Sequence, residues 1–402
     1  MQLTFAGHAL EAPTRLLDGT HRAASLAGTW QRFARLQRTA GITRIAELTG
    51  LDTIGIPVFA AIRPMGRSLS TQQGKGATPL AAKVSALMES LETYSAEHLQ
   101  LPIVRGSYRA LAKRRRVVNV RRLARPRGRL DLDAPWRWVT GRELGTDEPI
   151  LVPLEAVTLD CTFRTPPVFD ISSNGLASGN VLVEAIVHGL CEVIERDAEA
   201  AWRRAGGDRR IVLDSITDPT CRALIERITR AGARVFVWDL ASALGVPVIG
   251  AAIMEDPNEP AWRTLGFYQG FGAHLAPEVA IARALTEAAQ TRVTYIAGAR
   301  DDFFPFDYER ATDPELLADL WERLTAPSDE PVAFDDLPAA RSAARSTARS
   351  AGLGDDLAIL VERVRAGGHP QIIAVDLTHP ALGVPVVKVV VPGLATDVEA
   401  MG

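Results

Sequence analysis

The segment SNGLASGNVLVEAIVHGLCEVIERDA, Ser173 to Ala198, joins a loop rich in Gly, Ser and Asn to a long apolar run that carries acidic residues. From Val181 to about Arg203 most residues are Val, Leu, Ile or Ala, which predicts a helix that is buried on nearly all sides. Glutamates on such a helix face the protein interior or a cavity. An ionised carboxylate is costly there unless it is paired or bound to a metal ion.

The acidic side chains of this helix point in related directions. At about 100° per residue, Glu195 lies roughly 20° from Glu184, and Glu192 lies roughly 80° from it, so all three occupy one flank. A second apolar helix is predicted from Leu80 to Leu99, because apolar residues recur there at helical spacing. It carries three polar side chains on one face, at spacings of four and three residues: Ser85, Glu89 and Glu92.

Carboxylates from two buried helices that converge on one cavity repel each other and raise each other's pKa values. A hard divalent cation removes this conflict, and Mg²⁺ commonly links carboxylates to nucleotide phosphates. The pattern therefore favours a site for Mg²⁺ and a nucleotide between the two helices. The alternative is that the glutamates are ordinary solvated residues, with Glu192 and Glu195 paired to Arg196.

A glycine-rich loop precedes the first of these two helices. The stretch from Ser70 to Gly76 contains Lys75, and its glycines and positive charge suit a phosphate group. It is not a P-loop, because Leu69 stands where that motif needs a glycine and Gly76 replaces its Ser or Thr. An ordinary turn is the alternative interpretation.

Two further segments carry candidate nucleotide contacts. Asn180 ends the loop before the second helix, where it either caps the helix or contacts a metal ion or phosphate. A third helix, predicted from about Pro277 to Ile296, follows the glycine-rich loop Tyr268 to His274. Arg283 and Glu287 on this helix form a surface ion pair in one interpretation. In the other, cationic and amide side chains that share this face meet phosphate oxygens, namely Arg283 and Gln290.

Composition and motif searches exclude several classes of function. The 402 residues carry a net charge of −3, so no global basic field exists to hold a nucleic acid. Three scattered cysteines without a CxxC pair argue against a disulfide framework or a zinc cluster and indicate a reducing cytosol. No uncharged apolar stretch approaches about 18 residues, so we expect no membrane span. His188 and His274 are isolated candidates for acid–base chemistry, with a structural role as the alternative.

The order of predicted elements indicates the fold class. Helices and strands are mixed without strict alternation, which predicts an α+β fold with layered antiparallel sheets rather than a doubly wound sheet. We expect residues 1–55 to form an N-terminal helical arm and residues 56–402 to form the main domain, with a mobile Ala/Arg/Ser-rich segment at 338–354. No internal repeat is evident. The predicted strands are Ile54–Arg63, Val235–Asp239, Val246–Ile253, Ile372–Asp376 and Val384–Val391.

Three quoted segments together resemble the signatures of the YcaO family. The first is STQQGKGATPLAAKVSALMESLETYSAE, Ser70 to Glu97; the second is the opening segment above; the third is GFGAHLAPEVAIARALTEAAQTRV, Gly270 to Val293. They occur in the family's order, and the resemblance covers about residues 50 to 395. It implies a YcaO-type fold of mixed and antiparallel sheets with helices, in which an ATP site lies between helices.

The resemblance also implies roles for individual residues. By motif position, the Mg²⁺ ligands would be Glu89, Glu92, Glu184, Glu192 and Glu195. Ser85, Asn180 and Arg196 would contact the nucleotide or its metal ions. Arg22 and Thr29 lie seven residues apart, where the family places a basic residue and a hydroxyl that contact ATP. Further candidates for the phosphate side are Lys75, Arg283, Gln290 and Arg292.

YcaO enzymes transfer the γ-phosphate of ATP to a peptide amide oxygen, after which a nucleophile attacks the activated carbon. The product is an azoline with a neighbouring Cys, Ser or Thr side chain and a thioamide with a sulfide donor. The stretch Gly41 to Pro57 resembles stand-alone members that act with a TfuA-type partner, and the chain's last residues contain one proline, whereas azoline-forming members often end in a proline-rich tail. We therefore expect thioamide formation on a ribosomally made peptide or protein in the cytoplasm. The family also suggests a homodimer.

Two other functional classes remain open. The chain could be a nucleotide-binding accessory protein that assists another modification enzyme without modifying a peptide itself. It could also be a metal-dependent phosphatase or ligase unrelated to the family, which would leave the ordered signatures a coincidence. The full set of carboxylates favours catalysis, because a scaffold has no need to keep so many acidic groups inside the protein.

Overall fold

A computed structural model describes residues 2–17, 19–124, 129–162, 166–259, 265–338 and 352–395. Residues 339–351, most of the segment predicted to be mobile, lie outside this range. In chain order the helices are α1 (Leu26–Phe33), α2 (Pro79–Glu97), α3 (Tyr108–Ala112), α4 (Leu182–Ala205), α5 (Pro219–Arg230), α6 (Pro277–Ala297), α7 (Pro305–Ala311), α8 (Pro314–Thr325) and α9 (Leu353–Ala366).

Sixteen strands are described, all short. They are β1 (Thr4–Phe5), β2 (His8–Ala9), β3 (Arg15–Leu17), β4 (Thr20–Arg22), β5 (Arg44–Glu47), β6 (Val58–Ile62), β7 (Thr71–Lys75), β8 (Val104–Gly106), β9 (Trp136–Glu143), β10 (Pro149–Pro153), β11 (Leu176–Ser178), β12 (Arg234–Asp239), β13 (Val248–Met254), β14 (Tyr268–Ala273), β15 (Ile373–Asp376) and β16 (Val386–Val390).

The strands form antiparallel sheets, as expected for an α+β fold. A six-stranded sheet has the order β10-β9-β15-β16-β11, and β8 also pairs with β9. Two three-stranded sheets have the orders β5-β6-β7 and β12-β13-β14, and the pairs β1-β2 and β3-β4 form hairpins. Helix α4 packs on β11 and β16 of the large sheet, while α2 covers β6 and β7, and α6 covers β13 and β14.

A strand, a short connection and a helix that folds back on the strand occur three times: β7 with α2, β11 with α4, and β14 with α6. Glycine permits the close approach, because a Cβ at Gly74 would lie 2.0 Å from the backbone nitrogen of Ala86, and one at Gly270 would lie 2.2 Å from that of Ala288. In the unit of β11 and α4, a Cβ at Gly179 would lie 2.7 Å from the backbone nitrogen of Ala185. The sequence shows no repeat, yet the structure repeats this unit.

These strands correct the predicted loops. The segments 64–76, 172–180 and 268–274 were all expected to be loops because they are rich in glycine. Each contains a strand, since the glycines make room for a helix rather than for a turn. The described part of residues 1–55, which were expected to form a helical arm, contains one α-helix, α1, which ends at Phe33 before a 3-10 turn, and five short strands, β1 to β5.

The remaining helices complete the core. Helix α9, which was not predicted, packs against α4 and buries Leu357 and Leu360 in the same cluster of apolar side chains as Ile186 and Leu190. Helices α7 and α8 are both largely exposed. Across the described ranges, no helix combines the length and the apolar character that crossing a bilayer requires.

The close approach of β7 and α2 predicts a sharp difference between two glycines. We expect Gly74→Ala to reduce the free energy of unfolding by about 3 kcal/mol, because the new methyl group collides with backbone atoms that cannot move away. Urea denaturation measures this loss. Gly50→Ala is the matched control, since a Cβ there meets nothing within 4 Å. Equal stability of the two variants would contradict this account of the three units.

Candidate functional site

The ends of the three repeated strands meet in one region, where each is bonded to the helix of a different unit. The end of β7 is bonded to α6, the residue that ends β14 is bonded to α4, and β11 is bonded to α2. These links close a ring, so the polar flanks of three helices face a common space. The bonded pairs are Lys75 with Glu287, the backbone nitrogen of Ala273 with Glu195 at 2.8 Å, and Ser178 with Glu92.

Four of the glutamates predicted as metal ligands interact electrostatically in this space: Glu89, Glu92, Glu192 and Glu195. Burial raises the pKa of Glu92 well above its usual range, and the negative charges of Glu89 and Glu192 raise it further. Burial also raises the pKa of Glu192 to about 7, although Arg196 opposes this shift. The fold therefore holds more negative charge here than the protein environment stabilises by itself.

Glu89 shows that this space is open to water. Burial among protein atoms raises the pKa of its carboxyl group, while the charge of Lys75 opposes the rise. The side chain of Glu89 nevertheless remains exposed, and those of Glu92 and Glu192 are half-buried. These carboxylates are crowded by protein atoms and still reach solvent, which suits a polar ligand, and we refer to the water-accessible space among them as the cavity.

Two arginines that the sequence analysis singled out lie beside the carboxylates. Burial alone would lower the pKa of Arg196, but Glu195, Glu287 and Glu192 raise it, so the guanidinium stays charged. Arg283 Nη1 lies 3.4 Å from Nε2 of His188. Its buried Nε has no hydrogen-bond partner among the described residues. An unsatisfied guanidinium donor at the edge of the site is suited to a phosphate oxygen.

Three charged residues of the site were missed or misassigned from sequence. Glu287 was taken only as a surface partner of Arg283, whereas it pairs with Lys75. Lys388 on β16 is 3% exposed, and its burial lowers its pKa to about 8. The negative charges of Glu192 and Glu92 oppose this lowering. Arg300 pairs with Asp302, and its charge acts on Glu89. Of these three residues, only Lys388 could have been noticed in the sequence, because it is a lone lysine within a run of valines.

The N-terminal arm reaches the start of α4. The hydroxyl of Thr29 and the side-chain oxygen of Asn180 lie 2.8 Å apart and share a hydrogen bond. One oxygen of Glu184 accepts a hydrogen bond from the backbone nitrogen of Ala23 at 2.8 Å, and the other lies 3.9 Å from Nε of Arg22. The predicted pair Arg22 and Thr29 therefore contacts Asn180, which lies just before α4, and Glu184, which lies in its first turn.

Two expectations at this end of α4 change. Asn180 does not cap the helix, since Val181 is the N-cap residue and makes no side-chain cap bond. The amide group of Asn180 instead donates to Glu184 at 3.2 Å. Glu184 is 3% exposed, and its oxygens interact with Asn180, Ala23 and Arg22; its role as a metal ligand stays a prediction. Its contacts are those of a residue that positions the N-terminal arm.

A second, small cavity adjoins the arm and is lined by both candidate acid–base histidines, His188 and His274. Burial lowers the pKa of His188 well below its usual range, and Arg283 lowers it further, so this imidazole is neutral at pH 7. Because Arg283 is a donor, Nε2 of His188 accepts and Nδ1 carries the proton. His274 accepts a hydrogen bond from the backbone nitrogen of Ala276 at 2.9 Å and lies edge-on to His21.

Of the remaining predicted site residues, two are half-buried on the helices of the site and one is completely buried in ion pairs. Ser85 is half-buried one turn before Glu89 on α2, and Gln290 is half-buried one turn after Glu287 on α6. Arg292 is completely buried and binds Asp52 at 3.0 Å and Glu255 at 2.6 Å. Asp52 and Glu255 accept hydrogen bonds from its Nε and Nη2, and its expected contact with phosphate stays a prediction. The ion pairs tie α6 to neighbouring segments.

The donor set fits Mg²⁺ in a particular way. Within the described ranges, no three His, Cys, Asp or Glu side chains could enclose a metal ion by themselves. Mg²⁺ does not need such a cage, since it usually binds one or two carboxylates, keeps several waters and takes its other oxygens from phosphates. Carboxylates that repel one another around a wet cavity suit an ion that arrives with a nucleotide. Of the predicted ligands, Glu89, Glu92, Glu192 and Glu195 belong to this group of interacting carboxylates.

Comparison with known sequences gives matches over most of the chain. Residues 73–395 match the family model described as YcaO cyclodehydratase, ATP- and Mg²⁺-binding. A protein from Rhizobium leguminosarum bv. trifolii, described as an uncharacterized protein in the tfuA 3′ region, is 35% identical over 98% of this chain and 94% of its own length. An uncharacterized protein from Methanothermobacter thermautotrophicus is 37% identical, with 93% and 96% covered.

Solved structures give the same fold. YcaO from Methanopyrus kandleri, bound with AMPPCP and Mg²⁺, has a TM-score of 0.76 and 29% identity, covering 97% of this chain and 96% of that one. A heterocyclase in complex with substrate and cofactor has a TM-score of 0.79 but 22% identity, so it supports the fold alone. This chain spans 54% of that longer protein. From the family match and these near full-length relatives, the chain belongs to the YcaO family of ATP- and Mg²⁺-binding proteins.

Proposed function

We propose that this protein uses ATP and Mg²⁺ to activate a backbone amide of a peptide and that a thioamide is the product. The amide oxygen bonds to the γ-phosphorus of ATP, and ADP leaves. Hydrosulfide then adds to the activated carbon, and phosphate leaves with the original amide oxygen. The net change is replacement of one oxygen by sulfur, with ATP converted to ADP and phosphate.

The observation that carries the proposal is the charge arrangement in the cavity. Lys75, Arg196 and Arg283 stand among carboxylates that repel one another, and the cavity is open to water. Phosphoryl transfer needs little covalent chemistry from the protein and depends mainly on positioning and charge stabilisation. Mg²⁺ supplies charge neutralisation at the phosphates when it is bound.

The protein's own residues take separate parts in the proposal. Lys75 and Arg283 contact phosphate oxygens, for which the unsatisfied Nε of Arg283 is available. Arg196 stays charged and offsets the negative charge of Glu195 and Glu192, while its Nη1 donates to Glu199 at 2.9 Å. Arg22 and Thr29 hold the nucleotide from the N-terminal arm. The neutral His188 keeps Arg283 oriented without adding a second positive charge.

Thioamide formation is favoured over azoline formation by one relative. The Rhizobium protein from the tfuA 3′ region matches almost the entire chain at 35% identity, whereas the heterocyclase is only 22% identical. We therefore propose a TfuA-like protein as the partner and a ribosomally made peptide or protein as the substrate. An azoline-forming cyclodehydratase is the second candidate, and a non-catalytic accessory protein is the third.

Removal of single carboxylates tests the nucleotide site. We expect Glu89→Gln and Glu195→Gln each to weaken Mg²⁺-dependent ATP binding at least about tenfold, because each removes a negative charge that the cation offsets. Isothermal titration calorimetry measures the affinity. Glu362→Gln, on the exposed face of α9, is the control and should bind like wild type. Unchanged binding in both site variants would contradict the proposed ligands.

The raised pKa values predict a pH dependence. Because Glu192 has a pKa of about 7, the metal-free folded protein holds a proton there that the unfolded chain loses near its ordinary pKa of 4.5. Its contribution to stability is present below pH 4.5 and is lost as the pH rises to about 7. Glu192→Gln should therefore flatten the decline in melting temperature between these values. An equally steep decline in the variant would refute this assignment.

The mass of the product separates the proposed reactions. Incubation with a candidate peptide, a TfuA-like protein, ATP and sulfide should exchange one oxygen for sulfur. Loss of water instead of this exchange would identify an azoline and overturn the thioamide proposal. ATP consumption that never depends on peptide and partner, with no change in peptide mass, would favour the accessory role.

A further inference from the structure

The segment that runs from strand β4 into strand β5 has an unusual charge composition. From Gly19 to Ala46 it contains five arginines and neither Asp nor Glu, although the whole chain carries a net charge of −3. The five are Arg22, Arg32, Arg35, Arg38 and Arg44. Arg22 belongs to the nucleotide site described above, whereas the other four are exposed.

Three of these arginines form a stripe. Arg32, Arg35 and Arg38 recur every three residues along the end of α1 and the 3-10 turn that follows, so they lie on one side of the chain. Arg32 begins the stripe beside the site, because its Nη1 donates to the carbonyl oxygen of Asn180 at 2.9 Å. Arg35 and Arg38 line a surface groove that ends at Thr43. Neither of them forms an ion pair with a carboxylate of the described residues.

The groove ends beside an open sheet edge. Strand β5 is the outer strand of the sheet β5-β6-β7, and Arg44 and Glu47 lie opposite Ile62 and Phe59. The backbone nitrogen of Leu48 donates to the carbonyl oxygen of Val58 at 2.9 Å. Since backbone groups of antiparallel strands alternate in direction, the N–H and C=O groups of Ile45 and Glu47 point away from β6.

We propose that this edge and the arginine stripe bind an extended, acidic segment of the peptide substrate, which adds to β5 as a fourth strand. The backbone groups of Ile45 and Glu47 would pair with the peptide, and Arg35, Arg38 and Arg44 would contact its acidic side chains. The inference rests on the proposed function, which requires a peptide substrate. It adds a docking surface outside the cavity in which the chemistry takes place.

Charge argues for this occupant over a second copy of the chain. If two β5 edges paired in a dimer, the arginine stripes of both copies would be brought together, and like charges across an interface oppose association. An acidic peptide meets complementary charge instead. The stripe also runs from the groove to Arg32, which is bonded to Asn180 just before α4, so it extends from the groove towards the site.

Fluorescence anisotropy with short labelled peptides tests the charge requirement. The full-length protein should bind a peptide of alternating Glu and Val, with affinity falling as salt rises from about 0.05 to about 0.2 M. The double variant Arg35→Glu, Arg38→Glu should lose at least about tenfold in affinity for it and gain affinity for the matching Lys–Val peptide. The control Arg114→Glu, Arg115→Glu changes exposed arginines elsewhere and should bind like wild type.

A proline substitution tests the sheet edge. Glu47→Pro removes a backbone donor that points away from β6, so it should weaken binding of the Glu–Val peptide at least about tenfold. Glu47→Ala keeps that donor and should bind at least as well as wild type. Circular dichroism verifies that both variants fold, and the charge-reversal variant decides the question if the proline variant does not.

Three results would overturn the docking proposal: no binding of the Glu–Val peptide by wild type, binding unaffected by both substitutions, or conversion of a dimer to a monomer by Glu47→Pro in sedimentation analysis. The last would assign the edge to contacts between copies. All variants should retain Mg²⁺-dependent ATP binding. If the wild-type protein showed no Mg²⁺-dependent ATP binding, the proposed function would be refuted but the docking surface would not. Failure of the proposed function and failure of the docking proposal are therefore distinguishable.

Discussion

The interior placement of several carboxylates is the constraint on which the rest of this structure depends. Glu92, Glu192 and Glu195 lie deep enough that burial raises their pKa values, and they are close enough to repel one another. Such an arrangement is stable only because cations surround it. Lys75, Arg196 and Lys388 supply positive charge from three different elements.

The fold meets this constraint by repeating one structural unit. A glycine lies within β7 and within β14, and Gly179 directly follows β11; each allows the helix of its unit to approach to a distance that a Cβ would prevent. The end of each strand is then bonded to the helix of another unit, as in the pair Lys75 and Glu287. Acidic and basic side chains thus become fixed relative to each other by backbone packing rather than by long flexible loops, which is what a preorganised site requires.

The sequence predicted the part of the site that depends on local spacing. Glu192 and Glu195 share a flank because helical geometry places them there, and the apolar residues around them indicated burial. Reasoning from local sequence alone gave wrong secondary structure where tertiary packing determines the conformation. Gly74 and Gly270 suggested loops, although each lies in a strand that is covered closely by a helix. Glycine is common in turns, and the sequence alone did not reveal that a helix returns to cover it.

Long-range contacts account for the other differences. Arg292 occupied a favourable motif position, but Asp52, which lies 240 residues earlier, binds its guanidinium. Glu287 is joined to Lys75 across 212 residues. Asn180 is of a residue type that often caps helices, yet its side chain accepts a hydrogen bond from Thr29 of the N-terminal arm. In each case the partner that sets the role of the side chain comes from a distant segment, which spacing along a single helix does not report.

Direct location of the metal ions tests the central claim. Crystals grown with Mn²⁺ in place of Mg²⁺ and a non-hydrolysable ATP analogue would give an anomalous difference map. The account predicts Mn²⁺ peaks within the cavity between α2, α4 and α6, coordinated by phosphate oxygens and by carboxylates from Glu89, Glu92, Glu192 and Glu195. Ordered nucleotide and Mn²⁺ at another place, with these four carboxylates uncoordinated, would contradict it.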